Sequence, residues 1–462
     1  MSANPQTSRP PGPARPAGRN VVARYISDLR VIWAGQGFRR LFWIRLVSRF
    51  GDGLFQAGLG TYVFFNASSF PDPGSAAAAF TVLYLPYSLI GPFAGVFIDR
   101  WSRRQILAWS AVARAASIAL TASLITTGRL GLPVYAAALL VFGINRFFLS
   151  ALSAAMPHVV SGEELVMANA IAPPLGSLAA FAGGGAGIVL HLLAGKGPGG
   201  SALTLVVAGV GYLAAGAIAL LMTRDSLGPD EWESTAGDQI TTQLAAVVVG
   251  LAAGIRYAWG RRRALAALAV TFAQQFLFGM VLLITILLYR NYFYAAAGAN
   301  AALSHFLVLL TVTGIGAGVA ALITPAGSRW LTKANWITLL LAAGGVSIAV
   351  FGLEFAQIGF LALGLVIGTA GQAAGICTTT IFQEEVADEY LGRMFSLADM
   401  AFNVGFVLGA AASAGLVPLN GHSFALLAGT AAGYLVVAAG YRLLSGPSRA
   451  ASPAAAAHAS SS

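Results

Sequence analysis

The sequence predicts an all-α polytopic membrane protein with about twelve transmembrane helices in two pseudo-symmetric six-helix bundles. Two observations predict this class. Of the 462 residues, 57% are hydrophobic and only 10% are charged, whereas soluble domains carry about 25% charged residues. The apolar residues also form long continuous runs, and one polar stretch divides these runs six and six. Such a chain cannot cover a water-facing surface, so its solvent is lipid.

The apolar runs have the length of membrane-spanning helices, which need about 20 mostly apolar residues. A membrane β-barrel would instead show short alternating segments. The predicted N-terminal bundle, residues 39–223, contains spans 1 to 6 at 41–66, 75–98, 105–127, 132–156, 166–193 and 201–223. The predicted C-terminal bundle, residues 264–444, contains spans 7 to 12 at 264–290, 300–323, 336–353, 358–382, 394–416 and 422–444.

Three polar segments lie outside the bundles. Residues 1–38 are predicted to form a disordered tail, rich in Pro, Ser and Arg, that ends in an interfacial helix over 21–33. Residues 224–263 are predicted to be a cytoplasmic linker, whose last part, 245–259, is apolar enough for a second interfacial helix. Residues 445–462 are predicted to be disordered.

Basic residues are unevenly divided between the two sides of the membrane. If the N-terminus is cytoplasmic, the outside loops hold only Arg129, Lys196 and Arg290 of the 27 basic residues. Cytoplasmic loops of membrane proteins carry the excess of Lys and Arg, so we predict that both termini are cytoplasmic. The same bias accounts for the net charge of +10 without nucleic acid as a partner.

A faint internal repeat predicts that the two halves are related. The pattern Val-x-x-Glu-x-Leu begins at Val160 before span 5 and again at Val386 before span 11, 226 residues later. This interval agrees with the division into six and six spans. Two similar six-helix halves around a central site are a recurrent plan of transporters.

The loop after span 2, GVFIDRWSRR, concentrates charge between two apolar runs. It resembles the signature loop of the major facilitator superfamily, which often has Gly where Ser102 stands. The matching residues are Gly95, Asp99, Arg100, Arg103 and Arg104. FRRLFWIRLVSRFGDGLFQAGL in span 1, RFFLSALSAAMPHVV in span 4 and EYLGRMFSLADM entering span 11 resemble the superfamily's bacterial drug and macrolide efflux branch. Span 5 has the glycines of AFAGGGAGIVL but not the Gly-Pro motif that antiporters often carry there.

The resemblance implies a latch on the cytoplasmic face. Asp99 would dock against the N-terminus of span 11, where free N–H groups carry about half a positive charge. The loop arginines would pair with acidic groups nearby, or would only anchor the helix ends. The candidate partners are Glu163, Glu164, Glu384, Glu385, Asp388, Glu389 and Asp399.

Ionisable residues inside the spans form the second group of candidates. A charge at a helix centre costs roughly 2.5–3.5 kcal/mol on insertion scales, so a reason for it is expected. Arg49, Asp52 and Gln56 share one face of span 1, because they are spaced by 3 and 4 residues. The other candidates for lining a central cavity are Asn145 and Arg146 in span 4, Gln274 and Gln275 in span 7, and Asn403 in span 11.

We expect Asp52 to take up and release a proton, with Arg49 or Arg146 setting the balance between its two charge states. The alternative is a static pair of Arg49 and Asp52 that only fixes helix packing. Arg114 in span 3 is expected to be structural.

Together with the resemblance, these residues predict a monomeric secondary-active transporter of the bacterial cell membrane. The predicted activity is proton-coupled efflux of hydrophobic or amphiphilic small molecules by alternating access, with an ion gradient and no cofactor. Uptake, or movement of lipids or siderophores on the same fold, is the alternative. A membrane enzyme would need clustered catalytic or metal-binding groups, and the five histidines are scattered.

Overall fold

The computed structural model describes residues 33–65, 72–90, 102–128, 132–160, 162–195, 198–223, 227 and 240–445. Several predicted features lie outside these residues. They are most of the N-terminal tail with its interfacial helix, most of the linker before residue 240, the C-terminal tail after Ser445, and Gly95, Asp99 and Arg100 of the signature loop.

The described residues form thirteen long α-helices and no strand. The N-terminal bundle contains α1 (Gln36–Phe65), α2 (Pro73–Ile90), α3 (Arg103–Thr126), α4 (Leu132–Ala154), α5 (Gly162–Leu193) and α6 (Pro198–Leu220). One helix, α7 (Ile240–Trp259), lies in the predicted linker. The C-terminal bundle contains α8 (Arg262–Leu288), α9 (Ala299–Trp330), α10 (Lys333–Ser347), α11 (Gln357–Glu385), α12 (Asp388–Ala414) and α13 (Phe424–Leu444).

The twelve bundle helices follow the twelve predicted spans in order. Ten of the described helices are long and apolar enough to cross a membrane. Helix α1 is 30 residues long but carries Arg39, Arg40, Arg45, Arg49 and Asp52, so its composition is less apolar than that of the others. The predicted span begins five residues after the helix does, because the first turns of α1 are polar and basic.

Local residues fix where α2 begins. Asp72 precedes the helix, and its Oδ1 accepts a hydrogen bond from the Ser75 backbone N–H at 2.9 Å. Pro73 occupies the first helical position, which needs no donor. The helix in the corresponding place of the second half, α9, begins instead after Gly298, whose φ of 87° suits glycine and which has no side chain to cap the helix.

The two bundles are built from the same helix pairs. In the N-terminal bundle, α1 packs on α5 and α6, and α3 packs on α4 and α6. In the C-terminal bundle, α8 packs on α12 and α13, and α10 packs on α11 and α13. The order of the partners along the chain is the same in each half, as a duplicated six-helix unit would produce.

Glycines bring α1 and α5 into close contact, and the arrangement recurs in the second half. A Cβ atom on Gly183 would overlap the carbonyl oxygen of Phe50, and one on Gly53 would overlap that of Ala180. The corresponding residues between α8 and α12 are Gly409 with Phe276 and Gly279 with Phe406. Each follows its counterpart by 226 residues, the interval of the sequence repeat. Small residues let membrane helices pack backbone to backbone, so both halves keep the same close packing.

Aromatic contacts join the two bundles at one end of the molecule. We call the end where α1 finishes the distal face and the end where α1 begins the proximal face. The ring of Phe65 in α1 lies 5.5 Å from that of Phe306 in α9, and Phe80 in α2 lies 5.2 Å from Phe406 in α12. These four side chains belong to one apolar cluster that continues into the C-terminal bundle. Apolar packing therefore closes the boundary between the bundles near the distal face.

Candidate functional site

A buried polar cluster lies inside the N-terminal bundle. Asp52 Oδ1 accepts hydrogen bonds from the Tyr212 hydroxyl at 2.8 Å and from Arg114 Nη1 at 3.3 Å. The same guanidinium group donates to Asn145 Oδ1 at 2.7 Å and to the Ser48 hydroxyl at 3.0 Å. The cluster therefore ties together four helices, α1, α3, α4 and α6.

The charges of this cluster are shielded from water and partnered. Asp52 is 1% exposed and Arg114 is 0% exposed. The Arg114 guanidinium lies 4.1 Å from the ring centroid of Phe148 and 3.9 Å from that of Tyr212, where cation–π attraction adds to the hydrogen bonds. Burying two charges is costly, and removing one partner leaves the other uncompensated. The cluster is thus suited to fix the helices of this bundle relative to one another.

Arg49 connects the buried cluster to a more exposed surface. Its Nη1 lies 3.4 Å from Asp52 Oδ2, and 26% of its side chain is exposed. Gln56, two turns further along the same face of α1, is exposed. The expectation that all three residues line a cavity is corrected for Asp52, because Arg114 and Tyr212 hold its carboxylate inside the bundle.

Arg146 of α4 and Asp399 of α12 form an ion pair across the boundary between the bundles. Arg146 Nη2 lies 2.5 Å from Asp399 Oδ2, and the two side chains are 25% and 42% exposed. The Asn403 side-chain amide donates to the Asp399 backbone carbonyl at 2.7 Å, and Asn403 itself is buried. A partly exposed salt bridge therefore links the two halves.

This ion pair corrects two expectations. Arg49 or Arg146 was expected at Asp52, and the structure places Arg49 there. Arg146 instead pairs with Asp399, which was expected at the signature-loop arginines. Successive residues of an α-helix point about 100° apart. Asn145 therefore faces Arg114 inside the bundle, and Arg146 faces α12.

Gln274 and Gln275 of α8 lie within the C-terminal bundle. Both side chains are buried, and Gln274 Nε2 lies beside Gly371 of α11. The expectation that they line an exposed cavity is therefore corrected, because α8 turns this polar stretch toward its own bundle.

The described part of the signature loop binds its own bundle. Arg103 Nη1 lies 3.1 Å from His158 Nδ1 and donates to the Leu227 carbonyl oxygen at 3.2 Å. Arg104 Nη2 donates to the Leu220 carbonyl oxygen at 2.8 Å. Arg104 thereby satisfies a carbonyl at the end of α6 that the helix leaves open.

The acidic residues predicted as partners of the loop arginines lie in different surroundings. The side chains of Glu163, Glu164 and Asp388 lie outside the described residues, and Glu389 is exposed. Glu384 binds Lys333, and Glu385 Oε1 lies 2.7 Å from Arg263 Nη1. These last two acids therefore pair within the C-terminal bundle instead of with the loop arginines. The predicted docking of Asp99 on α12 stays a prediction.

Two members of the buried cluster, Ser48 and Tyr212, were not found from the sequence. The residue that indicates a buried cluster in the sequence is Arg114. It lies eleven residues inside an apolar helix and so requires a partner. A hydroxyl group in a spanning helix is common and carries no such signal, because it can bond to its own helix backbone.

The fold and the site together define a class of protein. Two related six-helix bundles meet through apolar contacts near one face, and ionisable side chains lie along their boundary. This is the architecture of a membrane transporter that moves one bundle against the other.

Comparison with known proteins identifies the family. The Major Facilitator Superfamily model matches residues 41–410. The chain belongs to this superfamily and is a multi-pass membrane transporter, not an enzyme. It is 34% identical over 387 residues to an uncharacterised MFS-type transporter of Mycobacterium bovis, which covers 84% of this chain and 86% of that protein. An uncharacterised MFS-type transporter of Mycobacterium tuberculosis matches with the same values.

Solved structures of known transporters share the fold. The nucleoside transporter NupG superposes with a TM-score of 0.66 at 16% identity, over 89% of this chain and 100% of that chain. A bacterial homologue of the iron transporter ferroportin, in an inward-facing state, superposes with a TM-score of 0.65 at 15% identity, over 89% and 99%. At such identities the likeness concerns the fold.

Proposed function

We propose that the protein is a proton-coupled exporter of hydrophobic or amphiphilic small molecules, such as drugs or macrolides, that works by alternating access. It acts as a monomer in a bacterial plasma membrane. Both termini lie in the cytoplasm, which makes the proximal face cytoplasmic. The driving force is the proton gradient, whose electrical part supplies about 2.3 kcal/mol per charge per 100 mV.

The observation that carries this proposal is the ion pair between Arg146 and Asp399. The bundles are closed by aromatic packing near the distal face, whereas this bridge is partly exposed. Alternating access requires the bundles to separate at one face while they meet at the other. A salt bridge across the boundary has to break when its side opens, so its strength can control the change of state.

We assign the proton carrier to Asp399 and an anchoring role to Asp52. Asp399 has one guanidinium partner among the described residues, and 42% of its side chain is exposed, whereas Asp52 is enclosed. Protonation would remove the charge that holds Arg146. Asp52 accepts from Tyr212, Arg114 and Arg49 and is 1% exposed, so releasing it would disrupt the bundle.

Export is supported by the resemblance of spans 1, 4 and 11 to the drug and macrolide efflux branch. The aromatic side chains that close the boundary would meet an oily cargo when the distal face opens. An importer, or a lipid or siderophore transporter, would use the same ion pair, so the experiment includes the direction of movement.

Transport into inverted membrane vesicles, across a panel of hydrophobic drugs, tests the proposal. We expect drug uptake that a protonophore abolishes. Asp399→Asn should lower proton-driven uptake by about tenfold or more, equivalent to ~1.4 kcal/mol, and should remove its pH dependence. The control is Glu354→Gln, which removes an exposed acid in the turn before α11 and should leave transport unchanged.

Two results would contradict these assignments. If Asp399→Asn keeps the wild-type pH dependence while Asp52→Asn loses it without loss of folded protein, Asp52 is the proton carrier. If the vesicles release drug that was loaded inside them and take none up, the protein is an importer.

A further inference from the structure

Arg45, in the third turn of α1, is a buried cation without a carboxylate partner in the described part of the chain. Only 8% of it is exposed. Its described polar contact is a long hydrogen bond from Nη2 to the Ser153 hydroxyl of α4, at 3.5 Å, and its Nε has no partner. A buried cation without an anion beside it is unfavourable. The described residues therefore leave the charge of Arg45 without a counter-charge.

A second arginine stands next to it. Arg49 lies one turn further along α1, and Gly176 of α5 packs against the aliphatic parts of both side chains. A side chain at Gly176 would push against these two stems. Because glycine is present, α5 supports both guanidinium groups on one side of α1.

The charges in this region do not balance. Four arginines and two aspartates lie more than two turns from the ends of the described bundle helices. They are Arg45, Arg49, Arg114, Arg146, Asp52 and Asp399. Both aspartates already accept from arginines other than Arg45. Two positive charges are therefore left over among the described residues. Arg45 has an ion pair with neither aspartate, and Arg49 shares Asp52 with Arg114.

The guanidinium groups of Arg45 and Arg49 are accessible from the boundary between the bundles. Ser153, which Arg45 contacts, is exposed, and Arg49 is partly exposed. Ser153 lies two turns from Arg146 on the same face of α4, and Arg146 reaches across to α12. A molecule that occupies the boundary can therefore meet both guanidinium groups of α1.

We propose that Arg45 and Arg49, with the Ser153 hydroxyl, form a subsite for a negatively charged head group of the cargo. This inference rests on the proposed function and narrows the cargo to acidic amphiphiles that carry a carboxylate, sulfonate or phosphate. A guanidinium group binds such oxyanions through two parallel hydrogen bonds. The anion also supplies the counter-charge that Arg45 lacks among the described residues.

Three probes that share a naphthyl ring and carry an anionic, a cationic or a neutral head group test the subsite. They are 2-naphthoate, 2-naphthylmethylammonium and 2-naphthylmethanol, titrated calorimetrically into the full-length protein in maltoside detergent, which contains no phosphate. We expect 2-naphthoate to bind at least about tenfold more tightly than the other two, the effect of one charge-assisted hydrogen bond. Arg45→Gln should remove this preference, and Arg45→Lys should keep it at lower affinity. Arg256→Gln, which removes an exposed arginine of α7, should leave it unchanged.

Adding lipid identifies the source of the anion. Competition with 2-naphthoate by phosphatidylglycerol but not phosphatidylcholine would show that acidic cargo enters from the bilayer. The absence of competition would show that it enters from water, and either result supports the subsite. Equal binding of the three probes, or a preference for 2-naphthoate that survives in folded Arg45→Gln, would overturn it.

Transport of the same probes into inverted vesicles separates this inference from the proposed function. If the proton gradient drives transport of the ammonium compound but not of 2-naphthoate, this result supports the proposed exporter and contradicts the anionic subsite. If 2-naphthoate binds through Arg45 but the proton gradient drives transport of no probe or drug, this result supports the subsite and contradicts the proton-coupled exporter.

Discussion

The two bundles share their helix packing but differ in what they bury. In the N-terminal bundle, Tyr212 of α6 donates to Asp52, and Arg114 of α3 lies over its ring. In the C-terminal bundle, the corresponding helix α13 carries Tyr434, whose ring packs against Gly344 of α10. The buried hydroxyl of Tyr434 has no hydrogen-bond partner among the described residues. The N-terminal half thus places an ion pair beside its buried tyrosine, whereas the buried tyrosine of the C-terminal half packs against a glycine.

This difference separates what the packing needs from what the charges add. The glycine contacts of α1 with α5 are repeated between α8 and α12 at an interval of 226 residues, whereas the residue 226 positions after Asp52 is Phe278. A six-helix bundle of this shape therefore does not require a buried ion pair. The charges of the N-terminal half serve something that the C-terminal half does not do alone, and Asp399 is the acid that the C-terminal half adds at the boundary.

Removing Arg114 should have the largest effect on this comparison. Arg114→Met leaves Asp52, Asn145 and Ser48 buried without their shared donor, and we expect the free energy of unfolding to fall by about 3–5 kcal/mol. Thermal unfolding in detergent measures this loss. The exposed-site control Arg256→Met should change stability by less than about 0.5 kcal/mol.

A double variant sharpens the same test. Asp52→Leu combined with Arg114→Met removes both charges, so it should be more stable than Arg114→Met alone. A double variant that is no more stable than the single one would show that the cluster contributes through packing and not through charge.

The sequence predicted the order of the spans and the positions of the buried charges, because a long apolar run and a charge inside it are visible one residue at a time. It did not predict which charges meet. Asn145 and Arg146 are neighbours, and the rotation of α4 about its axis decides that one binds Arg114 and the other Asp399. That rotation is set by packing against α2 and α3, which a local pattern does not contain.

The glycine contacts are expected to have an equal effect in the two halves. Gly183→Ala and Gly409→Ala each place a methyl group against a backbone carbonyl of the neighbouring helix, which should cost about 1–3 kcal/mol. Gly429→Ala is the control, because nothing lies within 4 Å of its added Cβ, and it should be neutral or slightly stabilising. A large cost in one half and none in the other would break the correspondence between the bundles.

Replacing Tyr212 or Tyr434 by phenylalanine should have different effects on the free energy of unfolding. Tyr212→Phe removes a hydrogen bond to a buried carboxylate and should cost about 1.5–3 kcal/mol. Tyr434→Phe removes a hydroxyl that has no partner in the described part of the chain, and it should cost nothing or stabilise slightly. Both variants keep the ring, so thermal unfolding compares the hydroxyl groups alone. Equal losses would indicate that Tyr434 has a partner comparable to Asp52.

The smallest expected effect concerns the caps of α2 and α9. The backbone hydrogen bond from Ser75 lowers the pKa of Asp72 below its ordinary value. The carboxylate therefore contributes stability that is fully present above the ordinary pKa and is lost as the pH falls through the lowered one. Because Asp72 is exposed, the loss should be only a fraction of about 1 kcal/mol.

Asp72→Asn keeps a capping oxygen without the charge, so thermal unfolding between about pH 5 and pH 3 should decline less for the variant than for the wild type. Helix α9 begins after Gly298 and has no side-chain cap. The start of α9 therefore adds nothing to the change in stability over this pH range. Parallel curves for Asp72→Asn and the wild type would mean that the charge on the cap adds no stability, and that the starts of α2 and α9 differ in geometry alone.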